Sequence, residues 1–255
     1  MTDESNQDAI TAALVLIGNE LLSGRTRDAN MHYLAARLTE IGIRLVEARV
    51  VRDVQEDIIA AVNTLRNRVT YVFTTGGIGP THDDITAAAV ASAFDVPLAP
   101  HPEAVRRLTE YFSARGVDAN AARMRMANTA AGAELIDNPV SVAPGFRIGN
   151  VFVLAGVPNI MQAMLEEVIP TLEHGEPVLS ATVICNLPEG QVAAGLEEIQ
   201  ARYQDLDIGS YPGKDANGFR VSLVVRGTDP RRVAMAARNI EYLVTDLNGS
   251  VLDDG

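Results

Sequence analysis

The sequence predicts an α/β protein with a mainly parallel sheet and helices on both faces, followed by a small α+β domain. The first observation is an unbroken apolar run at residues 12–18, which is typical of a strand buried on both faces. The second is the alternation of short β-rich runs with helical patterns over residues 12–94. Such strand–helix–strand units have right-handed crossovers and build parallel sheets. The third is a change in composition at residues 173–177, which predicts a linker.

The first part of the chain is predicted to run strand, helix, strand, helix, strand. Asp28 can cap a helix that runs to about Ile41, and Gly42 can end it. A loop at residues 19–27 precedes this helix. The elements predicted here are strands at 12–18, 43–51 and 71–73, and helices at 28–41, after Asp53 and after Asp84.

The rest of the chain continues with helices and strands in both domains. Pro102 fits the first turn of a helix, Gly149-Asn150 can form a hairpin turn, and Pro170 helps to end the helix before it. The predictions are a connection at 95–100, helices at 102–115, 119–127, 159–169, 190–203 and 230–247, and strands at 133–136, 146–148, 151–154, 178–185, 207–211 and 218–226. We place the domains at 1–172 and 173–255, and the second is large enough to fold alone.

Composition and charge exclude several classes of protein. The 255 residues carry a net charge of −12 and show no basic patch, so we expect no nucleic-acid partner. Residues 1–9 are expected to be frayed and to be neither a signal nor a transit peptide. No apolar run approaches the ~18 residues that span a bilayer. The single cysteine, Cys185, is predicted to lie in a core strand. We therefore expect a cytoplasmic protein without a membrane partner.

The stretch at residues 74–86, TTGGIGPTHDDIT, carries most of the chemical information. Its glycines allow positive φ and a close approach of the backbone to a ligand. Loop N–H groups that precede a helix attract anions. Asp83 and Asp84 would repel a phosphate, and a divalent cation between carboxylates and phosphate would remove that conflict. The stretch therefore predicts a phosphorylated ligand held with a metal cation.

Simpler interpretations of the same stretch remain open. Asp84 can serve only as the N-cap of the following helix, and the glycines can serve only a tight turn. The common nucleotide signatures are missing: the chain contains neither GxGxxG after a strand nor GxxxxGK[ST]. A dinucleotide dehydrogenase and a P-loop NTPase are therefore disfavoured.

Residues 74–86 resemble the signature loop of the molybdopterin-binding (MoCF, or MogA/MoaB-like) domain family. The GPTxDDxT form is similar to that of the CinA (competence/damage-inducible protein A) branch. Three further segments are similar to that branch, strongest over about residues 12–172: IGNELLSG at 17–24, NPVSVAPGF at 138–146 and AGVP at 155–158. Ser141-Val142 stands where the branch usually has Gly-Thr, which puts ligand contacts by these two residues in doubt.

The resemblance implies which residues form the site. Asp84 matches the aspartate to which the family assigns a functional role, Asp83 belongs to the narrower branch pattern, and Glu20 would supply another acidic group. We interpret these three as catalytic and the two aspartates as metal ligands, although Glu20 can also be a solvated carboxylate. His82 falls at a variable position and is interpreted as a surface histidine. The predicted phosphate- or ligand-binding residues are Thr75, Gly76, Gly77, Gly79, Thr81, Asn19, Asn138, Pro144 and Gly145.

The resemblance also implies a function. Its CinA branch implies metal-dependent hydrolysis of a nucleotide-sugar pyrophosphate such as ADP-ribose. The wider family implies instead binding of molybdopterin, or of its adenylylated form, without hydrolysis. A third interpretation is a non-catalytic oligomeric protein whose site has lost its function. The intact glycine and aspartate pattern argues against it. Relatives commonly form homo-oligomers. Longer relatives carry an amidase that acts on nicotinamide mononucleotide, and we do not expect deamidation here.

Overall fold

The computed structural model of the chain describes residues 10–215 and 218–252, so the fraying expected at residues 1–9 lies outside the described residues. Contacts divide the chain into two compact units, one within residues 8–175 and one within residues 176–255. None of the helices among the described residues is long and apolar enough to cross a membrane.

The first unit contains eight strands and seven helices among its described residues. Its strands are β1 Thr11–Ile17, β2 Arg44–Val51, β3 Tyr71–Thr75, β4 Leu98–Pro100, β5 Asn128–Ala130, β6 Glu134–Ile136, β7 Gly145–Ile148 and β8 Val151–Leu154. Its helices are α1 Asn19–Leu22, α2 Asn30–Glu40, α3 Gln55–Arg66, α4 Thr86–Ala93, α5 Pro102–Ala114, α6 Ala121–Met124 and α7 Pro158–Val168. Short 3-10 turns follow at Arg125–Ala127 and Ile169–Thr171.

Six of these strands form the central sheet, in the order β2-β1-β3-β8-β7-β6. Strand β1 pairs in parallel with β2 and β3, and β3 pairs in parallel with β8. The hairpin predicted at Gly149-Asn150 is confirmed, because β7 and β8 pair antiparallel and Gly149 has a φ of 56°. Because β2, β1, β3 and β8 pair in parallel, the predicted mainly parallel sheet is confirmed as well.

Apolar layers cover both faces of the sheet. Alternate side chains of β1 point to opposite faces, as in any strand, and both sets are buried. One layer packs Val15 of β1 against α3 and α4, and the other packs Leu14 against α2 and α7. Burial on both faces explains why residues 12–17 of β1 are all apolar.

Three local features differ from the sequence prediction. The loop at 19–27 contains the single-turn helix α1. The connection at 95–100 contains β4, which pairs with β5 in a separate two-stranded sheet. The helix predicted at 119–127 ends at Met124 and continues as a 3-10 turn. Each element spans only three or four residues, too few for a hydrophobic repeat to show in the sequence.

The second unit is a small α+β domain. It consists of strands β9 Leu179–Cys185, β10 Asp207–Asp215, β11 Gly218–Gly227 and β12 Val251–Leu252, with helices α8 Glu189–Arg202 and α9 Pro230–Asp246. The strands pair antiparallel in the order β10-β11-β9-β12. Cys185 is fully buried, so its predicted place in the core is confirmed. The two-residue β12 was not predicted, since it is too short to show a pattern.

Candidate functional site

The loops after β1, β3 and β8 meet at one edge of the central sheet, because the carboxyl ends of parallel neighbours lie together. Gly76 follows β3, and a Cβ there would collide with the carbonyl oxygen of Ile17 at the end of β1. Its N–H donates to the carbonyl of Leu154 at the end of β8, at 3.2 Å. A Cβ on Gly156 would stand 3.0 Å from the Cα of Gly76. Glycine is therefore what lets these three loops touch.

The glycine loop, residues 76–85, turns through positive φ at its first two residues. Gly76 has a φ of 103° and Gly77 a φ of 67°. The Gly77 carbonyl accepts the N–H of Thr86 at 3.0 Å, which fixes the loop to the start of α4. The N–H groups of residues 77–79 make no hydrogen bond with any described residue. Such unpaired loop N–H groups can bind an anion.

Asp84 does not cap α4, so the capping alternative is wrong. The N-cap residue is Ile85, which has no side-chain cap. The Asp84 carboxylate turns back over the loop instead, and its Oδ2 accepts the N–H of Thr81 at 2.7 Å. The Thr81 hydroxyl lies 2.6 Å from Oδ1 of Asp83 and also contacts Asp84. A Cβ on Gly79 would stand 2.7 Å from Oδ2 of Asp84. The two carboxylates thus converge on one hydroxyl beside the glycine loop.

The Thr81 hydroxyl holds the pKa of Asp83 below its ordinary value, because a hydrogen bond to the ionised form favours that form. The N–H of Asp83 itself and the neighbouring His82 lower this pKa further, against a small effect of burial. Asp83 is therefore charged at neutral pH. A negative charge sits next to loop N–H groups that would otherwise attract a phosphate.

A cleft of about 330 Å³ opens beside the glycine loop. This volume lies within the range of small-molecule sites. Its polar lining consists of Gly79, His82, Asp84, Arg125 and Asn128, and its apolar lining of Ile78, Ile85, Ala87, Ala88, Leu98, Met126, Pro144 and Phe146. The cleft thus combines an apolar lining with charged groups next to the glycine loop.

The structure brings only some of the predicted site residues to this cleft. Gly79, Asp84 and Pro144 line it. Asp83 and Thr81 lie beside them in the glycine loop and are exposed. Thr75 is buried at the end of β3, directly before Gly76 and Gly77.

Asn19 and Glu20 stand at the same edge of the sheet and do not line the cleft. The Asn19 N–H donates to Oδ2 of Asp53 at 2.7 Å, so this N–H is already paired. The exposed carboxylate of Glu20 folds back over Gly18, where a Cβ would collide with it. The Glu20 carboxylate is therefore solvated and lies next to the end of β1.

Asn138 and Gly145 shape the wall that carries Pro144. The Asn138 Nδ2 donates to the carbonyl of Ala143 at 2.8 Å, and its Oδ1 accepts the N–H of Ser141 at 3.1 Å. A Cβ on Gly145 would collide with the carbonyl oxygen of Val153. Within this wall Val142 has a φ of 66°, and such a conformation costs a β-branched residue about 1–3 kcal/mol. The Asn138 hydrogen bonds hold that strained turn in place.

Arg125 lines the cleft and was not predicted from the sequence. Its Nη1 donates to the carbonyl of Thr81 at 2.9 Å, across a sequence separation of 44 residues. The sequence around it predicted an ordinary helix. No local pattern marks the residue, because only the folding of the chain brings it to the glycine loop.

The carboxylates fit a cation that is shared with a ligand. Within the described ranges, no group of three or more His, Cys, Asp or Glu side chains could hold a metal ion by itself. A magnesium ion is usually bound by one or two carboxylates together with substrate phosphates and water. Asp83 and Asp84 supply that number, next to N–H groups suited to a phosphate.

The chain consists of an α/β domain with a cleft beside the glycine loop and a second small domain, and the matches to known families fall on these two parts. A family model described as a probable molybdopterin binding domain matches residues 13–174. A second model, described as the middle domain of FAD synthase, matches residues 177–248. The chain therefore belongs to the molybdopterin-binding MoCF domain family.

Individual proteins are also similar to this chain. A protein of Aeropyrum pernix is 34% identical over 95% of this chain and 97% of its own length. A probable FAD synthase of Caenorhabditis briggsae is 31% identical over 84% of this chain, which spans only 46% of that relative. The crystal structure of CinA from Thermoplasma acidophilum is 30% identical with a TM-score of 0.59, covering 64% of this chain and 98% of that one. The CinA-like resemblance is thus confirmed.

Proposed function

We propose that the cleft beside the glycine loop binds a phosphorylated nucleotide or pterin and that the chain hydrolyses a pyrophosphate bond there with a divalent cation. The observation that carries the proposal is the pair of carboxylates beside unpaired loop N–H groups. Asp84 and Asp83 converge on Thr81, and the N–H groups of residues 77–79 have no partner among the described residues. Two negative charges next to an anion site are explained if a cation joins them to a phosphate.

Each group of the site has a separate role in this proposal. The loop N–H groups of residues 77–79 donate to phosphate oxygens and stabilise the charge that grows on them. Asp83 and Asp84 hold the cation. When bound, the cation supplies charge neutralisation and an activated water. Met126 and Phe146 on the apolar wall hold the ring of the ligand and exclude water from one side. Glu20, at the same sheet edge, would assist as a further acidic group.

Three ligands share the required chemistry. The CinA resemblance suggests ADP-ribose, the names of two relatives add FAD, and the resemblance to the wider MoCF family adds adenylylated molybdopterin. Each of them joins two halves through a pyrophosphate. The proposed substrate class is therefore a nucleotide pyrophosphate with a flat ring.

A second candidate is binding of molybdopterin or its adenylylated form without hydrolysis. The family description favours it, because it names binding and no reaction. This candidate needs the glycine loop and the apolar wall, and it needs no activated water. Tight binding without turnover would select it over the first.

The test combines substrates, metals and one nearly isosteric variant. The purified protein is incubated with ADP-ribose, FAD and NADH, with magnesium, manganese or cobalt and with chelator. We expect metal-dependent turnover that Asp84→Asn reduces by about 100-fold or more, because a neutral amide oxygen is a weak ligand for a hard cation. The fold should remain intact, because Asp84 does not cap α4. Asp118→Asn, at an exposed aspartate away from the cleft, is the matched control.

Ligand affinity separates the alternatives further. With metal, Asp84→Asn should weaken binding of a phosphorylated ligand, because the bridge to the phosphate is lost. With chelator, affinity should stay equal or rise, because one repulsive charge is gone. An Asp84→Asn protein that hydrolyses pyrophosphates at the wild-type rate would end the metal-site proposal.

A further inference from the structure

Arg125 is a cation in a site whose predicted members are acidic or uncharged. It begins the 3-10 turn Arg125–Ala127, and its side chain is exposed on the wall of the cleft. Among the described residues that line the cleft, it is the one Lys or Arg. The lining of the cleft therefore carries a permanent positive charge.

Thr81 connects this cation to the two carboxylates. Its carbonyl accepts from Nη1 of Arg125 at 2.9 Å, and its N–H donates to Oδ2 of Asp84 at 2.7 Å. Its hydroxyl lies 2.6 Å from Oδ1 of Asp83. One residue thus fixes a guanidinium and two carboxylates relative to each other. A phosphate in the cleft could meet the guanidinium on one side and a carboxylate-bound cation on the other.

Most donors of Arg125 are unused. Over the part of the chain that the structure describes, its guanidinium makes no ion pair, and the bond to Thr81 occupies one of five N–H donors. Arg107 on α5 shows the contrasting arrangement, because Glu103 and Asp137 both accept from its guanidinium. The Arg107 charge is paired with two carboxylates of the protein, whereas the Arg125 charge has no carboxylate partner among the described residues.

We propose that Arg125 is the residue by which the cleft recognises the phosphate of its ligand. A guanidinium binds phosphate oxygens through charge-assisted hydrogen bonds in a planar fork. The ligand class rests on the proposed function, but the contact requires neither a metal cation nor hydrolysis. Arg125 therefore sets the preference for phosphorylated over unphosphorylated ligands.

The test is a cycle in which the phosphate and the guanidinium are removed separately. Affinities are measured by calorimetry, with chelator present, for ADP against adenosine and for FMN against riboflavin. Wild-type protein should prefer the phosphorylated member of at least one pair. Arg125→Ala should reduce that preference by about tenfold to a hundredfold, as expected for charge-assisted hydrogen bonds. Arg125→Lys should retain part of it, because the charge stays and the fork is lost.

Arg123→Ala is the matched control. Arg123 lies two residues away, outside the cleft lining, and donates to the carbonyl of Asp118. This variant should keep the wild-type preference. Thermal unfolding of each variant shows whether the fold is retained.

The outcomes separate this inference from hydrolysis. If no substrate is turned over but Arg125→Ala still loses the preference for phosphate, hydrolysis fails and the recognition role stands. If Arg125→Ala weakens both members of a pair equally, Arg125 only supports the Thr81 turn, and the inference is overturned. A wild-type protein without preference in either pair, or without binding, also overturns it.

Discussion

Gly79→Ala tests whether the position of the Asp84 carboxylate matters, without removing any functional group. A Cβ at residue 79 would stand 2.7 Å from Oδ2 and 3.0 Å from Oδ1 of Asp84. Ordinary contacts of a Cβ begin near 3.4 Å, so the carboxylate must move outward by several tenths of an ångström. That movement strains the 2.7 Å hydrogen bond from the Thr81 N–H. No positive φ is involved at Gly79, so the new side chain adds no backbone strain.

The expected effects on stability and on function differ strongly. The free energy of unfolding should change by no more than about 1 kcal/mol, because one exposed hydrogen bond is weakened while alanine also restricts the unfolded chain. Misplacing a catalytic group by a fraction of an ångström to 1 Å can cost about 100-fold in rate. We therefore expect kcat/KM for the best pyrophosphate substrate to fall by about 10- to 100-fold.

The assay is metal-dependent hydrolysis, measured beside urea unfolding of the same preparations. Gly190→Ala is the control, because a Cβ on that glycine in α8 meets no atom within 4 Å. It should leave turnover unchanged. A Gly79→Ala protein with wild-type turnover and wild-type affinity for ADP would show that the position of the Asp84 carboxylate does not matter for function.

Three further predictions concern stability and assembly. Glu166→Gln should lower the free energy of unfolding by about 0.5–1 kcal/mol at pH 7, because Arg37 and Tyr33 donate to that half-exposed carboxylate, whereas Glu167→Gln should not. The Arg37 guanidinium lowers the pKa of Glu166, so this difference should be present above about pH 4.3 and vanish as pH falls through the lower native pKa in urea titrations. A chain ending at Gly175, whose N–H bonds the carbonyl of Ile41, should unfold cooperatively by circular dichroism; a broad transition would contradict a domain boundary after Gly175. Light scattering at micromolar concentration should give a mass above 27.3 kDa, and a monomer would refute the expected homo-oligomer.

The elements that are best predicted from the sequence are those whose buried residues recur at regular spacing along the chain. Strand β1 is buried on both faces along residues 12–17, so each of these residues is apolar and the prediction is direct. The helices α3 and α5 bury one stripe and show helical spacing. The short strands β4 and β5 are held by pairing with each other, and that pairing has no local signature.

The candidate site likewise contains residues that could be predicted from the local sequence and residues that only the fold brings together. The glycine loop and its two aspartates are contiguous, so their chemistry could be predicted together from residues 74–86. Whether Asp84 faces the helix or the loop depends on its side-chain rotamer, which spacing does not determine. Arg125 reaches Thr81 only through the fold, so nothing in its own neighbourhood distinguished it from other exposed arginines.

The most direct test of the central claim is a crystal structure of the protein with ADP and magnesium. We expect a phosphate oxygen about 3 Å from the N–H groups of residues 77–79. We also expect the magnesium ion on Asp83 and Asp84, and the adenine ring against Met126 and Phe146. A nucleotide bound elsewhere on the chain, or a glycine-loop cleft that stays empty at saturating ADP, would contradict the account.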